Sequence, residues 1–291
     1  DFTVNAMAAA LDPEHLGDIR DPHRGRADLD DRVIRVLHPA SFTDDPTRLL
    51  RALRYEARLG FRMDAETERL ARAAIEADAP ATVSGPRIRD ELLDLLAEAG
   101  QSPGAVARLR ELGLDRALAP LLGDARPEDV GRAIEASDRI GGDRRLAGLA
   151  ALIAPEADGL APWVERLNLR SDDRDAVLHA ARKGPQLVRA LDTQLPDSAL
   201  HALLHCELPE TLALATALGA RPQPIERYLE QLSGAGLEIT GDDLRAAGVP
   251  ESPAIGRALR ETLKRKLDGQ VAGRDDELAL AVSIAREDGA R

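Results

Sequence analysis

From residue 46 onward, apolar positions recur every three or four residues, the spacing of amphipathic helices. The pattern predicts helices over residues 46–59, 65–77 and 86–99, with Ser84 capping the third and Glu91 helping to close its first turn. Shorter helices are predicted over 103–112, 126–140, 144–153, 160–167 and 171–183, and then over 188–191, 197–205, 209–218, 224–232 and 274–286. Before residue 46 the pattern differs. Residues 2–4 are β-tending, 18–26 are rich in turn formers and 32–37 alternate as a short strand does, so strands are expected only in this part. No fixed-period repeat is present, and the predicted class is mainly α.

The helix predicted over 46–59 carries the chemistry. Asp45 is a good N-cap and Pro46 suits the first helical position, where its missing N–H is no loss. At 100° per residue Arg48, Arg51, Arg54 and Arg58 form one stripe, while Leu49, Leu50, Leu53 and Ala57 lie opposite. Most charged runs are solvated faces. Here every cation is arginine, and Glu56 is the one acid between Arg48 and Arg58. Adjacent guanidinium groups repel one another unless something anionic lies across them, and their planar forks match phosphate oxygens and base edges. The stripe therefore predicts a phosphate or nucleotide site. Asp45 and Arg48, at i and i+3, can together imitate the edge of a base: the carboxylate accepts from an exocyclic amine, and the guanidinium donates to the adjoining ring nitrogen and carbonyl. Cytosine and adenine fit such a pair, whereas uracil or guanine sets acceptor against acceptor.

Composition narrows the class. The 291 residues suffice for two or more domains. A net charge of −12 argues against a coat of basic residues for sequence-blind nucleic-acid binding, but it permits a local cationic patch. With 2% aromatic residues, stacking platforms for single strands are scarce. No run approaches the ~18 consecutive apolar residues of a membrane span. Cys206 is the only cysteine, so an internal disulfide and a cysteine-based metal cluster are excluded and a cytoplasmic location is expected. Asp44 and Asp45 are adjacent at a helix start, which points their side chains apart and makes a poor metal site; Asp242 and Asp243 are expected to cap the helix that follows them. His201 and His205 are one turn apart, but no third ligand has the spacing for zinc, and no metal ligands are expected in this chain. Phosphate-loop, dinucleotide-binding and nucleophile-elbow motifs do not occur.

Five blocks spread over residues 1–258 resemble the bacterial class II nucleotidyltransferases that add CCA to tRNA, together with the similar bacterial poly(A) polymerases. DFTVNA at residues 1–6 is similar to the end of the R-R-D-F-T-x-N-A motif, and DPHRGRADLDDRVIR to D-x-x-G-G-x-x-D-L…I-R. DDPTRLLRALRYEARLGF resembles E-D-P-x-R-x-L-R-A-x-R-F-x-x-x-L-G-F almost position for position. VSGPRIRDELLDLL is similar to S-x-E-R-I-x-x-E-L, and ITGDDLRAAGVPESPAIGRAL to I-x-G-x-D-L…G-P-x-I-G.

The resemblance implies the remnant of an α/β nucleotidyltransferase head over residues 1–40, a helical neck with the nucleotide-selecting motif over 41–115, and a helical body and tail that bind tRNA over 116–291. It implies that Asp45 and Arg48 select CTP and ATP, that Arg51 and Arg54 contact the nucleotide, and that Asp1 and Asn5 lie near ribose and triphosphate. The aspartates that carry Mg²⁺ in that family belong to G-G-x-x-R-D and D-x-D motifs, which would precede Asp1. The chain is accordingly expected to be the C-terminal part of a longer enzyme and to be inactive alone. Four positions depart from the motifs: Asp44 replaces glutamate, Arg24 replaces one glycine of the G-G pair, and Gly85 and Pro86 alter the S-x-E-R-I element. CCA addition is the reading that the resemblance supports; poly(A), A-only or CC-only addition remain alternatives, as does a helical RNA-binding scaffold without catalysis. The oligomeric state leaves no signature in the sequence.

Overall fold

Ahead of residue 46 the chain forms short elements. In the computed structural model, which describes residues 1–99 and 104–289, β1 (Ala8–Ala9) pairs antiparallel with β2 (Ile19–Arg20). Next comes α1 (Gly25–Asp30), although the pattern predicts turn as far as Arg26. Asp21 accounts for this helix. Its carboxylate accepts from the Gly25 and Arg26 N–H groups at 2.6 and 2.9 Å, satisfying two donors that a helix start leaves open. β3 (Val33–Ile34), α2 (Ser41–Asp44), α3 (Arg48–Leu59) and β4 (Arg62–Met63) follow, and β3 pairs in parallel with β4. β4 corrects the expectation that strands stop before residue 46: two residues are too short to show an alternation, and their pairing is set from a distance.

The remainder is helical, as the mainly α prediction requires. It comprises α4 (Ala65–Glu76), α5 (Gly85–Ala99), α6 (Gly104–Glu111), α7 (Leu114–Leu118), α8 (Pro127–Ile140), α9 (Arg144–Ile153), α10 (Ala157–Arg166), α11 (Ser171–Ala190) and α12 (Asp197–Leu204). Then come α13 (Pro209–Ala217), α14 (Pro222–Arg227), α15 (Gly241–Ala246), α16 (Pro253–Leu267) and α17 (Arg274–Gly289). Pro103, the predicted start of one helix, lies outside the described residues. Asp64 and Asp143 cap α4 and α9 by accepting from backbone N–H groups, and Thr240 and Asp243 form a reciprocal capping box on α15.

Several boundaries differ from the pattern, two of them for clear physical reasons. α3 starts at Arg48 rather than Pro46, because Asp45 is extended (φ −145°, ψ 96°) and Thr47 takes the N-cap position. α11 continues through Gly184 and Pro185, where the sequence pattern predicts a break between 183 and 188. An interior proline costs about 3 kcal/mol, but the continued helix buries Leu187, and a side chain at 184 would meet Leu214 of α13 at 2.9 Å.

The chain divides into two units. One comprises Asp1–Val188 with Leu208–Gly219, and the other Arg189–Glu207 with Ala220–Arg291. In the first, a continuous core runs from Phe2, Ile34 and Phe42 through Leu49 and Leu53 of α3 and Leu92 of α5 to Val177 and Leu214. In the second, Ile239, Leu244 and Val249 pack with Ala258 of α16 and Ala281 and Ala285 of α17. No helix of the described residues is long and apolar enough to cross a membrane.

Candidate functional site

α3 is the organising element of the site, and its two faces are as the periodicity predicts. Leu49, Leu50 and Leu53 are buried in the core, while Arg48, Arg51 and Arg54 lie on the other side, half-buried rather than fully solvated. α5 and the first residues of the chain cover them. The Arg51 Nε donates to Asp1 Oδ2 at 2.9 Å, and an Arg51 Nη to Glu91 Oε1 at 2.9 Å. An Arg54 Nη lies 3.3 Å from Glu91 Oε2 and also donates to Asp94. The Arg48 Nη1 donates to the Ser41 carbonyl at 3.0 Å. Its Nε lies 3.3 Å from Asp1 Oδ1, yet it is buried without a hydrogen-bond partner. The anion lying across the arginines is therefore the protein's own. Glu91 corrects its expected part in closing the first turn of α5: it sits beyond that turn and bridges two arginines instead. The matching pitch of Arg51–Arg54 and Glu91–Asp94, three residues apart on each helix, was the available signal for this pairing.

Asp45 is held separately. Its Oδ1 accepts from the Thr47 N–H at 3.1 Å and the Thr47 hydroxyl at 2.7 Å, and the Arg87 Nη2 donates to both carboxylate oxygens at 2.9 Å. Burial pushes the Asp45 carboxyl up, but the Thr47 and Arg87 donors outweigh it and hold the group below its usual range. It stays ionised at neutral pH. Arg87, in the element resembling S-x-E-R-I, is a site residue that periodicity alone does not single out. Arg48 and Asp45 thus have different partners. Asn5 comes to the same helix: its Nδ2 donates to the Tyr55 hydroxyl at 3.3 Å, and Phe2 packs edge-on against Tyr55 at 5.7 Å.

Three further features hold this arrangement. Glu56, on the buried side of α3, accepts from the Met63 N–H at 2.7 Å and from the Arg108 Nε of α6 at 3.0 Å. Arg108 also reaches Glu68 of α4 and Glu111, joining three helices under the site. At the start of α5, the Gly85 Cα abuts the Arg166 backbone, and a Cβ there would come within 1.7 Å of the Arg166 carbonyl oxygen. Finally, Arg24 is left-handed (φ 61°, ψ 32°), while a Cβ on Gly25 would lie 2.3 Å from the Thr3 carbonyl oxygen. The two positions of a G-G pair thus have different demands, the first conformational and the second steric. Among the described residues no group of three or more His, Cys, Asp or Glu side chains can hold a metal ion. His201 and His205 instead stack at 4.4 Å, with His201 buried.

No protein-family model matches the chain. The multifunctional CCA protein of Xanthomonas campestris pv. campestris is 31% identical over 312 aligned positions, covering 89% of this chain and 74% of that protein. The chain belongs to the tRNA nucleotidyltransferase family. An A-adding tRNA nucleotidyltransferase of Geobacter sulfurreducens is 30% identical across 98% of the chain, which spans about a third (34%) of that relative's length. Among solved structures of the family, the Thermotoga maritima CCA-adding enzyme complexed with tRNA matches with a TM-score of 0.80 at 29% identity, over 97% of this chain and 72% of that one. A CCA-adding enzyme in complex with ATP matches with a TM-score of 0.81 at 29% identity, over 99% and 70%. The family resemblance and the mainly helical fold read from the sequence agree with these findings.

Proposed function

We propose that this chain supplies the nucleotide-selecting neck and the tRNA-binding helices of an enzyme that adds CCA to the 3′ end of tRNA from CTP and ATP. The reading is carried by the face of α3, where an ionised Asp45 and the unsatisfied Arg48 Nε lie beside a ladder of arginines. Asp45 Oδ2, engaged by Arg87, keeps a lone pair for the exocyclic amine of cytosine or adenine, and Arg48 donates to the adjoining ring nitrogen and, in cytosine, to the carbonyl as well. Arg51 and Arg54 turn from Asp1, Glu91 and Asp94 toward the phosphates, with Asp1 and Asn5 near the ribose. Residues 1–40 act as the head remnant, 41–115 as neck and 116–291 as body and tail, in the cytoplasm. Among the described residues no ligand set fits the Mg²⁺ that such phosphoryl transfer uses.

Two measurements test this. Equilibrium titration of the chain should show binding of CTP and ATP but not UTP or GTP, and Arg48→Ala should weaken both alike by roughly tenfold or more, since one guanidinium serves both bases. A loss confined to one nucleotide contradicts a shared template. In a full-length protein carrying this chain, labelled CTP and ATP should enter tRNA in the order C, C, A. A-only addition is the second reading, supported by the A-adding relative that aligns over 98% of the chain; incorporation of ATP without CTP would select it.

A further inference from the structure

The two carboxylate oxygens of Asp45 are held differently. Among the described residues, Oδ1 accepts from three donors: the Thr47 N–H at 3.1 Å, the Thr47 hydroxyl at 2.7 Å and the Arg87 Nη2 at 2.9 Å. Oδ2 accepts from the Arg87 Nη2 alone, also at 2.9 Å. An oxygen with three donors has no lone pair to spare. Arg87 is exposed and shares one nitrogen equally between the two oxygens, so it supports the charge without distinguishing them. Thr47 touches Oδ1 only, and it therefore decides which oxygen is left for a ligand.

The local sequence sets this up. A proline biases the residue before it toward extended backbone, and Asp45 lies at φ −145°, ψ 96°. From there its side chain reaches the N–H two residues on, the geometry of an Asx turn. A threonine at a helix N-cap ordinarily accepts from a backbone N–H of the first turn. Thr47 stands at the N-cap of α3 and makes no such bond; its hydroxyl donates to Asp45 instead. The Thr47 side chain is buried and lines a small apolar cleft with Pro46, Leu50, Pro80, Val83 and Ile88, which restrains a β-branched residue that has few rotamers to begin with. The motif E-D-P-x-R leaves this position open, so the threonine belongs to this chain and not to the motif.

We propose that Thr47 is a positioning residue for base discrimination: by saturating Oδ1 it presents Oδ2, and that oxygen alone, to the exocyclic amine, a role that rests on the base-selecting reading of Asp45 and Arg48. The carboxylate torsion of an aspartate is broad and roughly two-fold. Without the Thr47 hydroxyl the group is free to turn, and both its attraction for cytosine or adenine and its repulsion of uracil or guanine fade.

The test is kcat/KM for single-nucleotide addition to tRNA by a full-length protein carrying this chain, with CTP, ATP, UTP and GTP in turn. Thr47→Val keeps the shape and the apolar contacts of the side chain. It should lower the preference for ATP over GTP, and for CTP over UTP where CTP is used, by about tenfold, the worth of a hydrogen bond to a charged group. Part of that change should appear as faster use of GTP and UTP, which a disturbed helix would not produce. Thr47→Ser keeps the hydroxyl and should stay within about threefold of the wild-type preference. A fall in kcat/KM that is equal for all four nucleotides, a preference that Thr47→Val leaves intact, or a Thr47→Ser enzyme that behaves like Thr47→Val overturns the proposal while leaving the base-selecting reading in place. A wild-type enzyme with no preference for ATP over GTP overturns that reading, and the role of Thr47 with it.

Discussion

Replacing Arg108 with methionine should unfold the first unit more easily than any exposed-charge change, because it strands a buried carboxylate. Glu56 is 3% exposed, with one oxygen on the Met63 N–H and the other 3.0 Å from the Arg108 Nε. Arg62, the other cation nearby, lies 3.8 Å away and is largely solvated. Glu68 and Glu111 also lose a partner, but they reach water, where such pairs are worth roughly 0–1 kcal/mol. The loss is thus dominated by Glu56, and breaking a buried pair from one side costs about 3–5 kcal/mol. In a domain of ~150–250 residues that corresponds to a fall in Tm of roughly 6–20 °C. Trp163, the only tryptophan, is buried in α10 of the same unit, so urea unfolding followed by its fluorescence reports this unit alone. The midpoint should drop at constant slope, and adding Glu56→Gln should recover more than half of the loss. A loss below about 1 kcal/mol, or no recovery in the double variant, would refute the view that this ion pair is what seats α3.

Arg51→Lys should raise the KM for CTP and ATP in the full-length enzyme while leaving the choice of base unchanged, since an ammonium cannot replace a fork on phosphate; an altered base choice would show that the roles along α3 are wrongly divided. Arg24→Gly should stabilise the first unit by up to about 1 kcal/mol, the relief of a left-handed non-glycine residue exceeding the added freedom of the unfolded chain; a lower urea midpoint would show that the Arg24 side chain contributes more than its backbone strain removes. In the second unit, burial and then the neighbouring His205 lower the His201 pKa, so the unfolded chain takes up the proton first. That unit should lose stability as pH falls below the unfolded histidine value of about 6.5, and His201→Gln should flatten the pH dependence of its amide-exchange protection; an unchanged slope would assign the effect to another group.

The amphipathic α3, the capping of α15 by Asp243 and most helices beyond residue 60 were legible because their causes are local: apolar spacing, prolines and capping side chains. What the sequence concealed is tertiary. Glu91 and Asp94 answer the arginines across 40 residues; the equal pitch of the two pairs is compatible with this, but that α3 and α5 lie side by side is set by the tertiary fold. The β3–β4 pair joins two residues to two, below the length at which alternation has meaning. α11 passes through Gly184 and Pro185 because the helix buries Leu187 and lets Leu214 approach, which overrides local propensity. The six site residues proposed from motif and spacing do gather on and around α3, but Arg87, Glu91 and Asp94 complete that cluster only in three dimensions.

The acids that lie across Arg51 and Arg54 have a consequence for how the neck would respond to salt. A bare row of arginines holds diffuse counterions and releases them when phosphate arrives, so its affinity falls steeply with ionic strength. Here Asp1, Glu91 and Asp94 are resident counterions, tethered to the protein. On the proposed reading, an incoming triphosphate would trade places with carboxylates instead of expelling ions to the solvent. Nucleotide affinity at this site should therefore depend on salt much less than its count of arginines suggests, and the resting protein keeps its cationic face neutral until a stronger anion displaces the built-in ones.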